Sequence, residues 1–393
     1  MPVNSASASN PKSIVHIADY GGPYSGNFIS SLQALKVAVQ REGFRLVLVF
    51  SDIARNRPWL AEVEGNVSVH FMPKVASLPA LVLRLLRILE RENAAVLHTH
   101  FTTYDVAAWF AATIMRPYRK IGVIWHVHSD FPLKRSPARY LKDFLKLRFM
   151  ARARNTHVVA VSDGVYNSLL NRGLTPQKVE VIPNGIDVAR ALKVSSSRGE
   201  MRLAFGIPEN TFVILAFGWE PRTKGVDICL EACQALVREG LDIRLILVGG
   251  EQLEEFVRNW TPKSYPTWLH VVQPRECVGD FYSTADVFFA GSRWEGFPYS
   301  VGEAMACGLP VVTSNIPGLT WARSCPGVVS FDAGDTRGAI VALKKVISWP
   351  LEERKTRGTA NSELIVTRYS LDAWARGILE LYTHVFGEIL QWK

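Results

Sequence analysis

The chain is short of the features that would place it in several large protein classes. It has five cysteines, all within 229–325, and none stands in a Cys-x-x-Cys pair. Cys229 and Cys233 are one helical turn apart, and no histidine spacing nearby completes a zinc site. A disulfide scaffold and a zinc module are therefore excluded, and reduced, mostly buried thiols in a cytoplasmic protein are expected. No run of about 18 apolar residues occurs, so no membrane-spanning helix is expected. Residues Met1–Lys12 are polar and lack the apolar core of a signal peptide. Neither Gly-x-Gly-x-x-Gly nor a Walker loop is present, which counts against dinucleotide and ATP sites of those kinds.

What is present suits a folded chain of two cores. Of 393 residues, 48% are hydrophobic and 21% charged, enough apolar material for two domains and too much for general disorder. The net charge of +9 is unevenly placed. Residues 1–190 hold 24 Lys/Arg against 13 Asp/Glu, and the remainder 21 against 23.

Short, continuously apolar runs alternate with amphipathic stretches. The first set is Ile14–Ala18, Phe44–Phe50, Val67–Phe71, Ala95–Thr99, Ile121–Val127 and His157–Val161, with helical patterns such as Phe28–Glu42 and Leu78–Arg91 between them. After the polar segment Val194–Glu200 the rhythm restarts at Phe212–Phe217, Ile243–Val248, His270–Val272, Asp286–Ala290 and Pro310–Thr313. Unbroken apolar strands separated by helices are parallel strands covered on both faces. An alternation that stops and restarts predicts two doubly wound α/β domains, joined near Val181–Asp187, where Pro-Asn-Gly forces a turn. Ligands in such sheets sit beyond the strands' C-terminal ends, so two facing units make one interdomain cleft.

Five segments carry candidate chemistry. In Ser292–Pro310, SRWEGFPYSVGEAMACGLP, a strand gives way to a turn and then a helix ending at Gly308. Pro298 suits the helix start and Gly308 its C-terminal cap. The free amides near Pro298–Val301 attract an anion such as a diphosphate, with Glu295 just outside and Glu303 within the helix. A cap and a surface charge are the plain alternative. In Ala216–Asp227, AFGWEPRTKGVD, the loop bearing Arg222 and Lys224 suits a leaving diphosphate, or is a solvated basic loop. In Ala18–Ser30, ADYGGPYSGNFIS, Gly21, Gly22 and Gly26 permit close backbone approach ahead of a helix starting near Asn27. His98/His100 and His126/His128 each share a strand face, as core histidines or, less well, as metal ligands. Finally, Lys134–Arg154 has eight basic residues, one acid and helical apolar spacing. It reads equally as a membrane-surface helix or as a basic helix packed on its own domain, while nucleic acid is disfavoured because no binding module accompanies it.

The segment around Glu295 and Glu303 closely resembles the E-x7-E motif of glycosyltransferase family 4, retaining enzymes of the GT-B fold, two facing Rossmann-like domains. The resemblance extends to the first strand and glycine loop, VSDGVYNSLL, VIPNGID, the Lys224 loop and the stretch Ser370–Phe386. It implies an acceptor-side domain over 1–187 and a donor-binding domain over 188–369. A final helix at about 370–393 would return to the first domain. It implies that Glu295 contacts the donor sugar, Glu303 the ribose hydroxyls, and the backbone of Gly296, Phe297, Pro298, Tyr299 and Ser300 the sugar and phosphates. The glycine loop with Gly21 and Gly22 would face the phosphates, Lys224 would clamp them, and His128 would contact the sugar. Trp219 stands where the family usually has an arginine, so the second cation of the clamp falls to Arg222 or to none. No Asp-x-Asp triplet occurs, which disfavours the metal-dependent fold of such enzymes, and no metal or cofactor is required.

The activity so implied is retaining transfer of a sugar from a nucleoside-diphosphate sugar to an acceptor hydroxyl, in cell-surface polysaccharide or glycolipid synthesis. The partners would be that donor and a glycan or lipid-linked acceptor. Location would be cytoplasmic, with attachment to the inner face of the membrane left open. A nucleotide-sugar epimerase, another GT-B enzyme, or a non-catalytic nucleotide-sugar-binding or membrane-associated protein are the alternatives.

Overall fold

The structure is a computed structural model and describes residues 12–65, 67–129, 144–148, 153, 155–261 and 264–391. Its strands follow the apolar runs. β1 (Ser13–Ala18), β2 (Arg45–Ser51), β3 (Ser68–Met72), β4 (Ala94–His100), β5 (Gly122–Val127), β6 (Thr156–Ala160) and β7 (Val179–Val181) form one sheet in the order 3-2-1-4-5-6-7. β8 (Phe212–Phe217), β9 (Ile243–Val248), β10 (Leu269–Val272), β11 (Val287–Ala290), β12 (Val311–Ser314) and β13 (Val328–Phe331) form a second, in the order 10-9-8-11-12-13. Every pairing is parallel. β1, β4, β5 and β6 are buried along their whole length, which is why their sequences show no polar alternation. The edge strands β7 and β13 escape a sequence reading because they are short and half-exposed, VEV and VVSF.

Each sheet reverses its winding once, between β1 and β4 and between β8 and β11. At such a switch point the flanking loops turn away to opposite faces and leave a crevice. The loops after β1, β4, β8 and β11 are therefore where the fold puts ligand.

Two chain crossings join the units. Ile186 donates its amide to the Tyr369 carbonyl at 2.7 Å, and a parallel bridge pairs Ile186 with Ser370. A Cβ on Gly185 would come within about 3.0 Å of Trp374, so the first crossing runs tight against the second. The final helix, Leu371–Gln391, buries Trp374, Ile378, Leu381, Tyr382 and Val385 in the same apolar cluster as β1, β2 and the helix Gly26–Arg41. The other face of the first sheet shares one continuous cluster with residues of the second unit, among them Phe297, Val301 and Leu319. No helix among the described residues is long and apolar enough to cross a membrane. Most of Lys134–Arg154 lies outside the described residues. Residues 144–148 are helical, Leu147 is buried, and Lys146 is ion-paired to the buried Asp105.

Candidate active site

The rim on the second unit is built by two loops stapled together. Arg293 donates to both carboxylate oxygens of Asp227 at 2.9 and 2.7 Å, and its amide donates to the Thr223 carbonyl at 2.8 Å. Bidentate arginine–carboxylate pairing fixes orientation as well as distance. Gly225 has φ +67°, and a side chain there would collide with the Gly291 carbonyl, so glycine is required on both counts. Glu220, in the same loop, holds φ at +52°. Held this way, the Lys224 ammonium reaches Glu295 Oε1, and the Ser292 hydroxyl donates to the same oxygen at 2.8 Å.

Glu303 lies on the helix Tyr299–Ala306, capped N-terminally by Pro298 and followed by Gly308 at φ +72°. It is buried, with Asn27 Nδ2 at 2.8 Å and the Arg190 guanidinium on Oε1, and the Tyr282 hydroxyl donating to Oε2 at 2.7 Å. Burial, then the neighbouring Glu303 charge, raises the Tyr282 hydroxyl well above the ordinary tyrosine range. Three donors occupy a carboxylate that offers about four acceptor positions, leaving room for one more.

The facing wall is made of neutral rings. Parallel register sets His16 beside His98 and His100 beside His126, and strand alternation puts all four on one face, with His128 just past β5. Tyr382 of the final helix inserts among them. Burial drives His16 and His128 down to about 3 and His98, His100 and His126 well below the usual histidine range. The rings are therefore neutral at physiological pH. Two consecutive non-glycine residues, Phe101 and Thr102, follow β4 with φ of +60° and +62°. Such backbone is strained and persists only when its surroundings demand it. Here it lays Phe101 over His128, ring centroids 4.5 Å apart.

The two sides touch. A side chain on Gly296 would collide with the His128 carbonyl, and the Ser162 hydroxyl donates to the Gly296 carbonyl at 2.7 Å. Asn27, at the start of the first helix, accepts from the Asp187 amide at 2.8 Å while donating to Glu303. Glu295, Lys224, Gly296 and His128 thus come together, and Phe297 stacks on Trp321 behind them at 4.5 Å. The Tyr299 hydroxyl is raised by burial, then by Tyr20 and Glu303. In that loop the Gly22 carbonyl accepts from Trp59 Nε1 at 3.0 Å, and Gly21 packs on Ile53. Arg222 points elsewhere: its guanidinium lies 5.7 Å from the Phe256 ring, lining a separate cavity of about 870 Å³ with Glu255 and Trp260. Trp219 is 45% exposed, edge-on to Phe217.

A reading of the sequence does not find Arg190, Asn27, Tyr282, His16 or Tyr382 as site residues. His16 shares its face with the residues that precede the glycine loop, which is a signal after the fact. Tyr382 has none, being one aromatic position on an amphipathic helix.

Two families match this chain. Residues 30–190 match the family described as Glycosyltransferase Family 4, and residues 211–349 that described as Glycosyl transferases group 1. The UDP-Gal:alpha-D-GlcNAc-diphosphoundecaprenol alpha-1,3-galactosyltransferase of Escherichia coli is 24% identical over 73% of this chain and 76% of its own. The alpha-maltose-1-phosphate synthase of Mycolicibacterium smegmatis is 27% identical over 79% of this chain and 84% of its own. Among solved structures, a glycosyltransferase from Rickettsia africae superposes with a TM-score of 0.76 at 16% identity, covering 96% of this chain and 99% of that one. Anabaena HepE in complex with UDP-glucose gives 0.76 at 18%, over 95% and 99%. The chain belongs to the family 4 glycosyltransferases of the GT-B fold, and it is an enzyme of the glycosyltransferase class.

Proposed function

We propose that the protein is a retaining glycosyltransferase that moves a hexose from a nucleoside-diphosphate sugar to an acceptor hydroxyl. The observation that carries this reading is the Lys224–Glu295 pair at the β8/β11 switch point, set against His128 through the Gly296 contact. The residues 188–369 act as the donor side, and 1–187 with the final helix as the acceptor side. In this reading the diphosphate lies along the start of the helix Tyr299–Ala306, where backbone amides from Gly296 to Ser300 and the Lys224 ammonium stabilise charge as the sugar leaves. Glu295 and His128 hold the sugar hydroxyls. The remaining acceptor position on Glu303 takes a ribose hydroxyl. Arg222, turned onto Phe256, leaves Lys224 as the cation of the clamp.

Displacement occurs on one face of the sugar. The bond to the leaving phosphate oxygen breaks as the acceptor oxygen arrives from the same side. That phosphate oxygen takes the acceptor's proton, so no covalent sugar–enzyme adduct is needed.

The donor base is uridine in this proposal, because HepE is described with UDP-glucose and the Escherichia coli relative with UDP-Gal. That relative's diphosphoundecaprenol acceptor supports a lipid-linked acceptor in cell-surface glycan synthesis. The test is a thermal-shift screen of UDP-, GDP- and ADP-hexoses, followed by turnover with candidate acceptors. UDP-hexose at a hundredfold excess over its dissociation constant should stabilise the chain by about 2.7 kcal/mol. Release of the nucleoside diphosphate should require acceptor, and the new linkage should keep the donor's anomeric configuration. Acceptor-independent release, or an inverted linkage, would reject the mechanism.

A further inference from the structure

The five histidines and Tyr382 do more than fill the floor of the cleft. Their ring nitrogens form one unbranched chain. His128 Nε2 meets His100 Nδ1 at 2.9 Å, and His100 Nε2 meets His16 Nδ1 at 2.9 Å. His16 Nε2 meets the Tyr382 hydroxyl at 2.6 Å, which meets His98 Nδ1 at 2.8 Å, and His98 Nε2 meets His126 Nδ1 at 3.2 Å. Every interior ring uses both nitrogens.

A neutral imidazole has one donor and one acceptor nitrogen, and the tyrosine hydroxyl gives one proton. In a head-to-tail chain of such groups all protons point the same way, inward or outward; a mixed arrangement, with the Tyr382 oxygen accepting from both His16 and His98, leaves its buried O–H without an acceptor among the described residues. The ends decide which. At the deep end, His126 Nε2 is buried and has no partner among the described residues. If the protons point inward, that nitrogen carries an orphaned N–H, which buried sites rarely tolerate. If they point outward, it is a bare acceptor, and each ring donates toward His128. The last proton then sits on Nδ1 of His128, the partly exposed member of the chain. The dead end at His126 also means that the chain conducts no proton through the protein; it can only set a direction.

A cation site is the rival reading, since two triads, His16–His98–His100 and His100–His126–His128, bring nitrogens within 4.8 Å of one another. Tetrahedral zinc with bonds of about 2.0–2.1 Å would hold its ligand nitrogens about 3.3 Å apart. Here the pairs are at hydrogen-bond length, and both nitrogens of each interior ring are already engaged.

We propose that this chain locks His128 in its Nδ1–H form and so makes it a hydrogen-bond donor to the sugar in the cleft, with His100, which donates to His128 Nε2, as the positioning residue. The proposal rests on the reading of His128 as a sugar contact given above.

The test uses the full chain labelled with 15N-histidine, whose two-bond proton–nitrogen correlations distinguish protonated from bare ring nitrogens. The His128 signals are assigned by their loss in His128→Gln. In the wild type, His128 should carry its proton on Nδ1. In His100→Leu, which removes the ring that donates to His128 Nε2, His128 should show both tautomers; in Tyr382→Phe, where His16 Nε2 becomes the buried end, His128 should keep its proton on Nδ1 while His98 and His126 show mixed forms. In His100→Leu kcat/KM for sugar transfer should fall about tenfold, as for one lost hydrogen bond, while the affinity for UDP, which lacks the transferred hexose, stays as it was. A His128 proton on Nε2 in the wild type, or a tautomer unmoved in His100→Leu with the melting temperature retained, would overturn the proposal. One equivalent of zinc shifting all five rings would also overturn it, in favour of a metal centre. A tautomer that scrambles while transfer is unaltered supports the chain and overturns instead the reading of His128 as a sugar contact.

Discussion

The two switch points of this molecule occupy the same place in their sheets and are built from opposite chemistry. Between β8 and β11 the crevice is lined by full charges in pairs, Lys224 with Glu295 and, a helix away, Arg190 with Glu303. Between β1 and β4 it is lined by neutral imidazoles. Depth explains much of the difference. His16, His98, His100 and His126 sit beneath the mouth, nearly inaccessible to water, where a charge would cost several kcal/mol. Lys224 keeps part of its side chain in solvent. In the proposed function the same topology offers a phosphate a fixed positive charge from one wall and a sugar an uncharged hydrogen-bond donor from the other.

Breaking the charged wall should have the largest effect. Lys224→Ala and Glu295→Ala are each expected to lower kcat about 10²–10³-fold, the usual cost of removing one group that stabilises transition-state charge. Steady-state turnover with saturating donor checks this, and near-normal turnover in the double variant would refute the proposed site. Gly296→Ala attacks the contact between the walls. Its new Cβ meets the His128 carbonyl, and pushing the loops apart by about 1 Å is expected to cost about 10²-fold in kcat/KM, with the melting temperature showing whether each unit stays folded.

The neutral wall should announce itself through acid. His16 binds a proton at about 3 in the folded chain and near 6.5 when unfolded. Below about pH 6.5 the unfolded chain gains protons that the folded chain refuses, so stability falls as pH drops through the window from 6.5 to 3. Each such ring contributes up to about 1.4 kcal/mol per pH unit. Urea midpoints at pH 7.5 and pH 5.5 should differ, and His16→Gln should flatten that difference. An unchanged slope would mean that the imidazoles are charged in the fold. A smaller effect is expected from Arg190→Ala. It leaves Glu303 with Asn27 and Tyr282, so a loss of about 2 kcal/mol in urea unfolding is expected rather than the full cost of an abandoned buried charge. Smallest of all, Arg222→Ala should change the donor KM less than about twofold, because an exposed cation turned onto Phe256 adds little to the clamp.

Much of this was legible in the chain. The unbroken apolar strands announced two parallel sheets because strands covered on both faces need no polar positions. That Glu295, Gly296, Lys224 and His128 stand just past strand ends was legible because each follows an apolar run within its own segment, while the roles expected of them came from the family resemblance. Arg190, Tyr282 and Tyr382 were not legible, since each acts on a partner far along the chain: Tyr382 is separated from His16 by 366 positions. The direction of Arg222 was equally hidden, as a loop sequence does not say which neighbour a long side chain will lie on.

By itself, the sequence determined the two sheets, the helix that presents Glu303, and the glycines that let loops approach, because each depends on residues within one or two turns of chain. Only the tertiary structure decided that five histidines and one tyrosine form a single directed chain, and that Glu303 shares its carboxylate with three donors from both units. Those facts depend on strand register and on the returning helix. No local pattern encodes how six separate side chains will align their nitrogens and oxygens at hydrogen-bond distance.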